Sequence, residues 1–358
     1  MWAGILHLLF GNTLIGIGEG LLLARLFELP KAKSILVMIP ANYFSAWLGM
    51  FVISEWIVPM LPMDLNNGLR WLWSMVFLAY CMTLASEWPF IAWCFRGRKN
   101  WLGRSVLASF AVQSASYVLL FGWYWLPSGA SLFTNTTIVA AAELPLPNSV
   151  TVYYIDPDDG NAYSRPLTGG TAQKVYDLGS TSRGDVLFLR RNPSDSNRWD
   201  LAARLETGDY KNPRFEVIKT NLSIEAAPRF QIYSADPRQS EERWFNFGEA
   251  PELGAHQESP WKFQVNFWAG EGLLTINKKT GERFHFAYET PFVSWRVRNA
   301  VHLPSDIALF QLGDEQICAF DPVTKRLALL WHGQAPMPVI ENTDVADEGN
   351  AKPTASDK

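Results

Sequence analysis

Residues 5–27 read ILHLLFGNTLIGIGEGLLLARLF, a run whose only charged side chain before Arg25 is Glu19. Wound as a helix, such a run covers the roughly 30 Å of a bilayer's hydrocarbon core. Three comparable stretches follow, from Ile35 to Leu61, Leu69 to Phe95 and Val106 to Leu126. The spacing predicts a multidomain membrane protein. A four-helix transmembrane bundle occupies residues 1–130, an all-β extracytoplasmic domain residues 131–340, and a disordered tail residues 341–358.

Charge sets the expected orientation. The first connection carries Arg25, Lys31 and Lys33, and the third carries Arg96, Arg98, Lys99 and Arg104, whereas the second offers only Asp64 and Arg70. Short loops rich in Lys and Arg stay in the cytoplasm, so both termini are expected outside it. Trp71, Trp73, Trp93 and Trp101 stand near span ends, where amphipathic rings settle among headgroups. No basic leader or small-residue cleavage site accompanies the first span, so it is expected to be retained as a helix.

Past residue 130 the composition changes. Residues 131–358 carry 23 basic and 30 acidic side chains, a balance that argues against nucleic acid or an anionic membrane surface as a partner. About 200 residues are ample for an independent core. Cys81 and Cys94 fall in the third span and Cys318 stands alone beyond it, which leaves no intrachain disulfide for the exported region. The expected location is a bacterial inner membrane, with the C-terminal domain periplasmic or extracellular.

The exported region repeats. Turns begin at Asp156-Pro157, Asn192-Pro193, Asp236-Pro237, Asn277-Lys278 and Asp321-Pro322, at intervals of 36, 44, 41 and 44 residues. Each follows an alternating apolar run such as Val152-Tyr153-Tyr154-Ile155 or Ile317-Cys318-Ala319-Phe320. The turn Asn277-Lys278-Lys279-Thr280-Gly281 resembles the Asp-x-x-Thr-Gly turns of β-propeller blades. That resemblance is to an architecture, and it implies a small propeller of about five blades; the alternative with similar strand spacing is a β-sandwich.

Candidate chemistry lies in the membrane. Glu19 and Glu87 each stand eight residues from the cytoplasmic end of their spans, and Asn42 and Gln113 reach a comparable depth from the same side, with Ser114 and Ser116 close by. A carboxyl facing lipid costs at least a few kcal/mol, so this polar layer is expected to face the bundle interior or a partner. It then either glues helices through hydrogen bonds or handles protons or cations. Trp261, Trp268 and Trp295 are candidate ligand-stacking aromatics, although core packing is the more ordinary role for such residues. His256, His285, His302 and His332 are scattered, and no phosphate loop, zinc spacing or nucleophile elbow is present, so no catalytic residue, metal or cofactor is expected.

Three functional classes fit these features. The first is a non-enzymatic subunit of a larger membrane complex, with partners in other membrane subunits, the bilayer, and an extracytoplasmic protein or glycan. The second is a proton- or cation-conducting component that uses the polar layer, and the third an extracytoplasmic glycan-active enzyme. The orientation is directly testable. Reporter fusions at Lys33 and Lys99 are expected to be active only in the cytoplasm and fusions after Leu132 only outside; cytoplasmic activity at Leu132 would reverse the assignment.

Overall fold

The computed structural model describes residues 10–125, 131–180, 182–206, 213–228, 232–233, 248–254, 259–290 and 292–342. The turn at Asp236-Pro237, His256 and the tail beyond residue 342 lie outside the described residues. The chain divides into two compact units, Met1–Phe133 with Tyr288–Ser294, and Thr134–Ala287 with Trp295–Lys358. The first is helical and the second all-β.

Four long helices make up the helical unit: α1 (Asn12–Phe27), α2 (Lys31–Gly49), α3 (Gly68–Phe95) and α4 (Trp101–Trp125). Beyond Gly49, α2 continues as a π-helical segment, Met50–Ile57, and a final 3₁₀ turn, Val58–Met60. Two of these stretches, Lys31–Met60 and Gly68–Phe95, are long and apolar enough to cross a membrane. Their exposure is inverted relative to a water-soluble bundle. Leu14, Leu36, Phe77, Val118 and Leu119 are exposed, while Asn12, Glu19, Ser34, Asn42, Glu87, Ser105 and Gln113 are buried. In water that distribution would be costly; against hydrocarbon it removes polar groups from an apolar solvent.

Small residues let α1 and α2 approach closely. A Cβ at Gly16 would stand 2.7 Å from the Ile39 Cα, and one at Gly20 would stand 2.6 Å from the Ile35 Cα. The spacing of four places both glycines on one face, the small-residue pattern that tight helix pairs require. Gly18, on another face, meets nothing within 4 Å among the described residues. At one end of the unit, Arg98 donates from Nη1 to the Phe27 carbonyl at 3.0 Å and from Nη2 to the Glu28 carbonyl at 2.9 Å. Glu28 closes α1 in the left-handed conformation, and Lys33 Nζ reaches the Trp93 carbonyl at 3.3 Å. Basic side chains from the first and third connections therefore satisfy the open carbonyls of two helix C-termini, where the dipole also favours them.

The strands of the β unit, in chain order, are β1 (Thr137–Ile138), β2 (Val150–Ile155), β3 (Ala162–Pro166), β4 (Gln173–Tyr176), β5 (Val186–Arg191), β6 (Trp199–Leu205), β7 (Arg214–Leu222), β8 (Ile224–Ala226), β9 (Ile232–Tyr233) and β10 (Gly248–Glu249). Along the chain follow β11 (Trp261–Val265), β12 (Leu273–Asn277), β13 (Arg283–Phe286), β14 (Tyr288–Glu289), β15 (Ser294–Trp295), β16 (Val297–Leu303), β17 (Ile307–Leu312), β18 (Gln316–Asp321), β19 (Arg326–His332) and β20 (Gln334–Glu341), of which β14 falls in the segment assigned to the first unit. Several sheets result, in the orders β4-β3-β2-β20-β8, β7-β6-β5-β9, β10-β11-β12-β13 and β1-β19-β18-β17-β16, with a short β14-β15 pair.

Four of the five repeat turns lie among the described residues, and each joins two antiparallel neighbours: β2 to β3, β5 to β6, β12 to β13 and β18 to β19. One device recurs. The first residue of each turn turns its side chain back to accept a backbone N–H two residues on: Asp156 from Asp158 at 2.9 Å, Asn192 from Ser194 at 2.8 Å, Asn277 from Lys279 at 3.0 Å and Asp321 from Val323 at 2.9 Å. This is why Asp and Asn, and not merely polar residues, recur at the period. The third unit differs. Its described residues, Ile232–Tyr233, pair in parallel with β5 and so extend the second unit's sheet, while its turn and Trp244 lie outside the described residues. Among the described residues, one apolar cluster lies around Tyr153, Phe188, Leu201 and Met337 and another around Val152, Leu309, Ile317 and Trp331, while the rings of Phe284, Phe286, Phe310 and Phe320 pack against one another. Successive side chains of β2 point to opposite faces and both faces are covered, so Val152 and Tyr153 serve different clusters.

The glycine contacts give a clean contrast. Gly20→Val is expected to lose about 1–3 kcal/mol of stability through overpacking against α2. Gly18→Ala, which meets open space within a helix, is expected to hold or gain up to about 1 kcal/mol. Thermal unfolding of both variants in detergent checks the pair; equal effects would contradict the close α1–α2 approach.

Candidate functional site

The four residues of the sequence-derived layer come together. Glu19 is on α1, Asn42 on α2, Glu87 on α3 and Gln113 on α4, and all four are buried, with Glu87 fully inaccessible. Asn42 Nδ2 donates to Glu19 Oε2 at 2.5 Å and also to the Met38 carbonyl at 3.1 Å. Gln113 Nε2 donates to Glu87 Oε2 at 2.5 Å. The chain of contacts passes through all four long helices, because α1 meets α2 at Asn42, α2 meets α3 at Ser45, and α3 meets α4 at Gln113.

Ser45 was not among the residues singled out from sequence, and it carries the most informative geometry. Its Oγ is 2.5 Å from Glu87 Oε1 and 3.1 Å from the Asn42 carbonyl oxygen. A hydroxyl has one hydrogen to give and lone pairs to accept with. When Glu87 is ionised, Ser45 donates to it. When Glu87 carries a proton, that proton can go to Ser45 Oγ while Ser45 donates back along its own helix to Asn42. Both protonation states of Glu87 are therefore satisfied by the same heavy-atom positions, with a single hydroxyl rotation between them. Nothing in the sequence marks a serine three residues beyond Asn42; only the crossing of α2 and α3 places it on the carboxyl.

Around this centre, more polar pairs join α3 and α4. Tyr80 and Ser114 share a hydrogen bond at 2.8 Å, Thr83 and Tyr117 share one at 3.0 Å, and Trp88 Nε1 donates to Ser105 Oγ at 3.1 Å. Ser114 therefore serves Tyr80, whereas Ser116 faces Glu19.

The candidate stacking aromatics are separated by burial. Trp261 and Trp295 are 7 % exposed, so neither offers an open ring face, while Trp268 is 38 % exposed and packs edge-on against Phe267 at 4.9 Å. Among the described residues the histidines do not assemble, and no group of His, Cys, Asp and Glu suited to a metal occurs. His302 does take part in a cluster that sequence reading missed. Its Nε2 is 3.3 Å from Asp306 Oδ1, and Ser259 Oγ donates to the same oxygen at 2.5 Å. The carboxylate stands where a catalytic triad would place the imidazole, so it does not prepare the serine hydroxyl for attack. The cluster ties the residues before β11 to the turn between β16 and β17.

No protein-family model matches the chain, and comparison with curated proteins finds no match. The functional reading therefore rests on geometry. Gln113→Leu, which strips Glu87 Oε2 of its donor, is expected to destabilise the helical unit by about 1–3 kcal/mol, whereas Ser114→Ala, at the edge of the layer, is expected to cost only about 1 kcal/mol. Denaturation in detergent, followed by helical circular dichroism, measures the difference; equal losses would argue against a special role for the Gln113 amide.

Proposed function

We propose that this chain is an integral membrane protein whose four-span bundle carries a proton-exchanging carboxyl pair, and whose β unit is an extracytoplasmic, propeller-like binding platform. The observation that carries the reading is the position of Ser45 between Glu87 and the Asn42 carbonyl, which lets Glu87 gain and lose a proton without repacking. A purely structural contact has no need of that property. Glu19, bonded to the side chain of Asn42, whose backbone carbonyl Ser45 also reaches, is the natural partner for a shared proton. Neutral donors surround both acids, and Lys and Arg side chains are confined to the ends of the spans.

Several features support the architectural part. The inverted exposure of the helices suits a lipid environment, and the bias of Lys and Arg toward the first and third connections supports cytoplasmic loops there. Pairing of β20 with β2 joins the last strand of the β unit to one of its first, which is how a ring of blades is closed. The sheets on which the four described repeat hairpins fall correspond to its blades. Repeat platforms of this kind usually bind other molecules, and a place in a larger membrane assembly fits both halves.

Glu87→Gln and Glu19→Gln test the proposal, since Gln keeps shape and hydrogen bonding but cannot ionise. In infrared spectra recorded across a pH titration of the chain in lipid nanodiscs, the native protein is expected to show a protonated-carboxyl band that vanishes as pH rises. Glu87→Gln is expected to remove it, and the double variant to differ from the sum of the two single ones. Ser45→Ala is expected to shift its titration without abolishing it. If both Gln variants leave spectrum, assembly and abundance unchanged, the layer only holds helices together and the docking-subunit reading takes its place.

A further inference from the structure

Residues 266–272 join β11 to β12 and carry Phe267 and Trp268. Phe267 is 50 % exposed and Trp268 38 %. Among the described residues of the β unit only two other large apolar side chains, Tyr176 and Val323, are comparably exposed, and neither adjoins another in sequence. The exposure of the pair is built into the loop. The Asn266 N–H donates to the Gly272 carbonyl at 3.1 Å, the Glu271 N–H donates to the Trp268 carbonyl at 3.0 Å, and Ala269, between the aromatic pair and Glu271, is buried. An ordered backbone that holds adjacent apolar rings outward marks a surface meant for something other than water.

The position of this loop on the chain says what that is. The chain leaves the β unit after Ala287 and returns at Trp295, and the residues between, Tyr288–Ser294, belong to the helical unit. Within the helical unit the Tyr288 ring packs edge-on against Phe133 at 5.4 Å, and Phe133 stands eight residues after Trp125, the end of α4. Both crossings border the aromatic loop on the β-unit side. Gly272, left-handed at φ 51°, lies so close to the Phe286 carbonyl and the Ala287 Cα that no Cβ fits there. The Arg296 guanidinium stands over the Phe267 ring, 5.9 Å from its centre, and is itself exposed. The other end of β12 is unlike this one: it runs into the turn at Asn277, where Lys278 and Lys279 are exposed. The hairpin is thus aromatic at the end where the chain passes to the helices and cationic at the end remote from it.

We propose that Phe267 and Trp268 form a wedge that enters the headgroup region of the bilayer crossed by the helical unit, so that the β unit touches lipid directly. The inference rests on the membrane-spanning reading of the helices given above. Aromatic rings settle at the boundary between headgroups and acyl chains, where their apolar bodies leave water and their polar edges do not. The two rings stand at 89° to one another, which makes a wedge and not the flat platform on which a sugar ring stacks. Arg296 completes the fit. With its face over Phe267, its N–H groups remain at the edge of the guanidinium plane to donate to lipid phosphate oxygens. Glu271, the one charged residue of the loop, is exposed and stays on the water side of the wedge.

The test uses the full chain in nanodiscs of phosphatidylcholine and phosphatidylglycerol in equal parts. Nitroxide labels are attached at Trp268→Cys and, with both rings retained, at Glu271→Cys, in a chain carrying Cys81→Ala; Cys94 and Cys318 are buried. Spin-label relaxation by oxygen, which concentrates in lipid, is compared with relaxation by a water-soluble nickel chelate. Labels at Leu119→Cys, exposed on α4, and at Val323→Cys, exposed in the turn between β18 and β19, supply the lipid and water references. The Trp268 label is expected to collide with oxygen in preference to nickel, as the Leu119 label does, and the Glu271 label to fall between the two references. Replacing both rings, Phe267→Ser with Trp268→Ser, is expected to return the Glu271 label to the nickel collision rate of Val323 with the circular dichroism unchanged. A Trp268 label that collides freely with nickel while Leu119 reads as lipid overturns the wedge and leaves the membrane-spanning reading standing; a Leu119 label in water overturns both. Exclusion of both reagents at Trp268 means that a protein surface covers it and overturns the proposal, as does a Glu271 label whose depth survives the loss of both rings.

Discussion

A carboxyl removed from water must find its hydrogen bonds inside the protein, and in the helical unit this demand falls on Glu87. Ser45 meets one oxygen and Gln113 the other, from helices on either side. Because both bonds run directly from side chain to side chain, they tie α2 and α4 to α3 at this level. Gly16 and Gly20 do the same for α1 against α2 by removing the side chains that would keep them apart. The polar centre and the smooth glycine face are two halves of one solution: close approach brings the carboxyls within reach of their donors, and the hydrogen bonds reward that approach. In hydrocarbon, where apolar contacts between helices gain little over contacts with lipid, such bonds and tight packing are the main sources of association.

The β unit depends on a different local device. Its hairpins are set by turns in which an Asp or Asn side chain takes the place of a backbone acceptor, and Asp321 extends this by also receiving the Thr324 hydroxyl at 2.6 Å. The turn fixes the hairpin, the hairpin fixes which side chains face inward, and the inward faces of separate sheets make apolar clusters. Asn299 on β16 and Gln311 on β17, both buried, satisfy one another there.

Much of this was legible in the sequence, for identifiable reasons. Helical runs and turn residues are local signals, so the helical part and the four described hairpins stand where the apolar and Asp/Asn patterns put them. Depth along a helix is also nearly local: counting from basic ends brought Glu19, Asn42, Glu87 and Gln113 to one level. Rotation about the helix axis and pairing between distant strands are not local. Ser45 became visible only once α2 crossed α3, and the shared oxygen of Asp306 only once the segment before β11 met the turn after β16. Trp261 and Trp295 carried the composition of stacking residues, yet their neighbours cover both faces, a matter of burial that no spacing reveals.

The pairing of β20 with β2 sets a condition on the order of events during biogenesis. Val150 pairs with Ile340, and Val152 with Pro338, so the sheet begun near the start of the β unit lacks an interior strand until the residues of β20 have been made. Until then β2 presents an unpaired edge, and the loop to be closed is nearly the length of the whole unit. Contacts of such long range form slowly, and an exposed edge of alternating apolar residues can pair with the wrong chain in the interval. The β unit is thus a structure that benefits from being shielded as it emerges, and truncations that remove β20 should be far more damaging than their eight residues suggest.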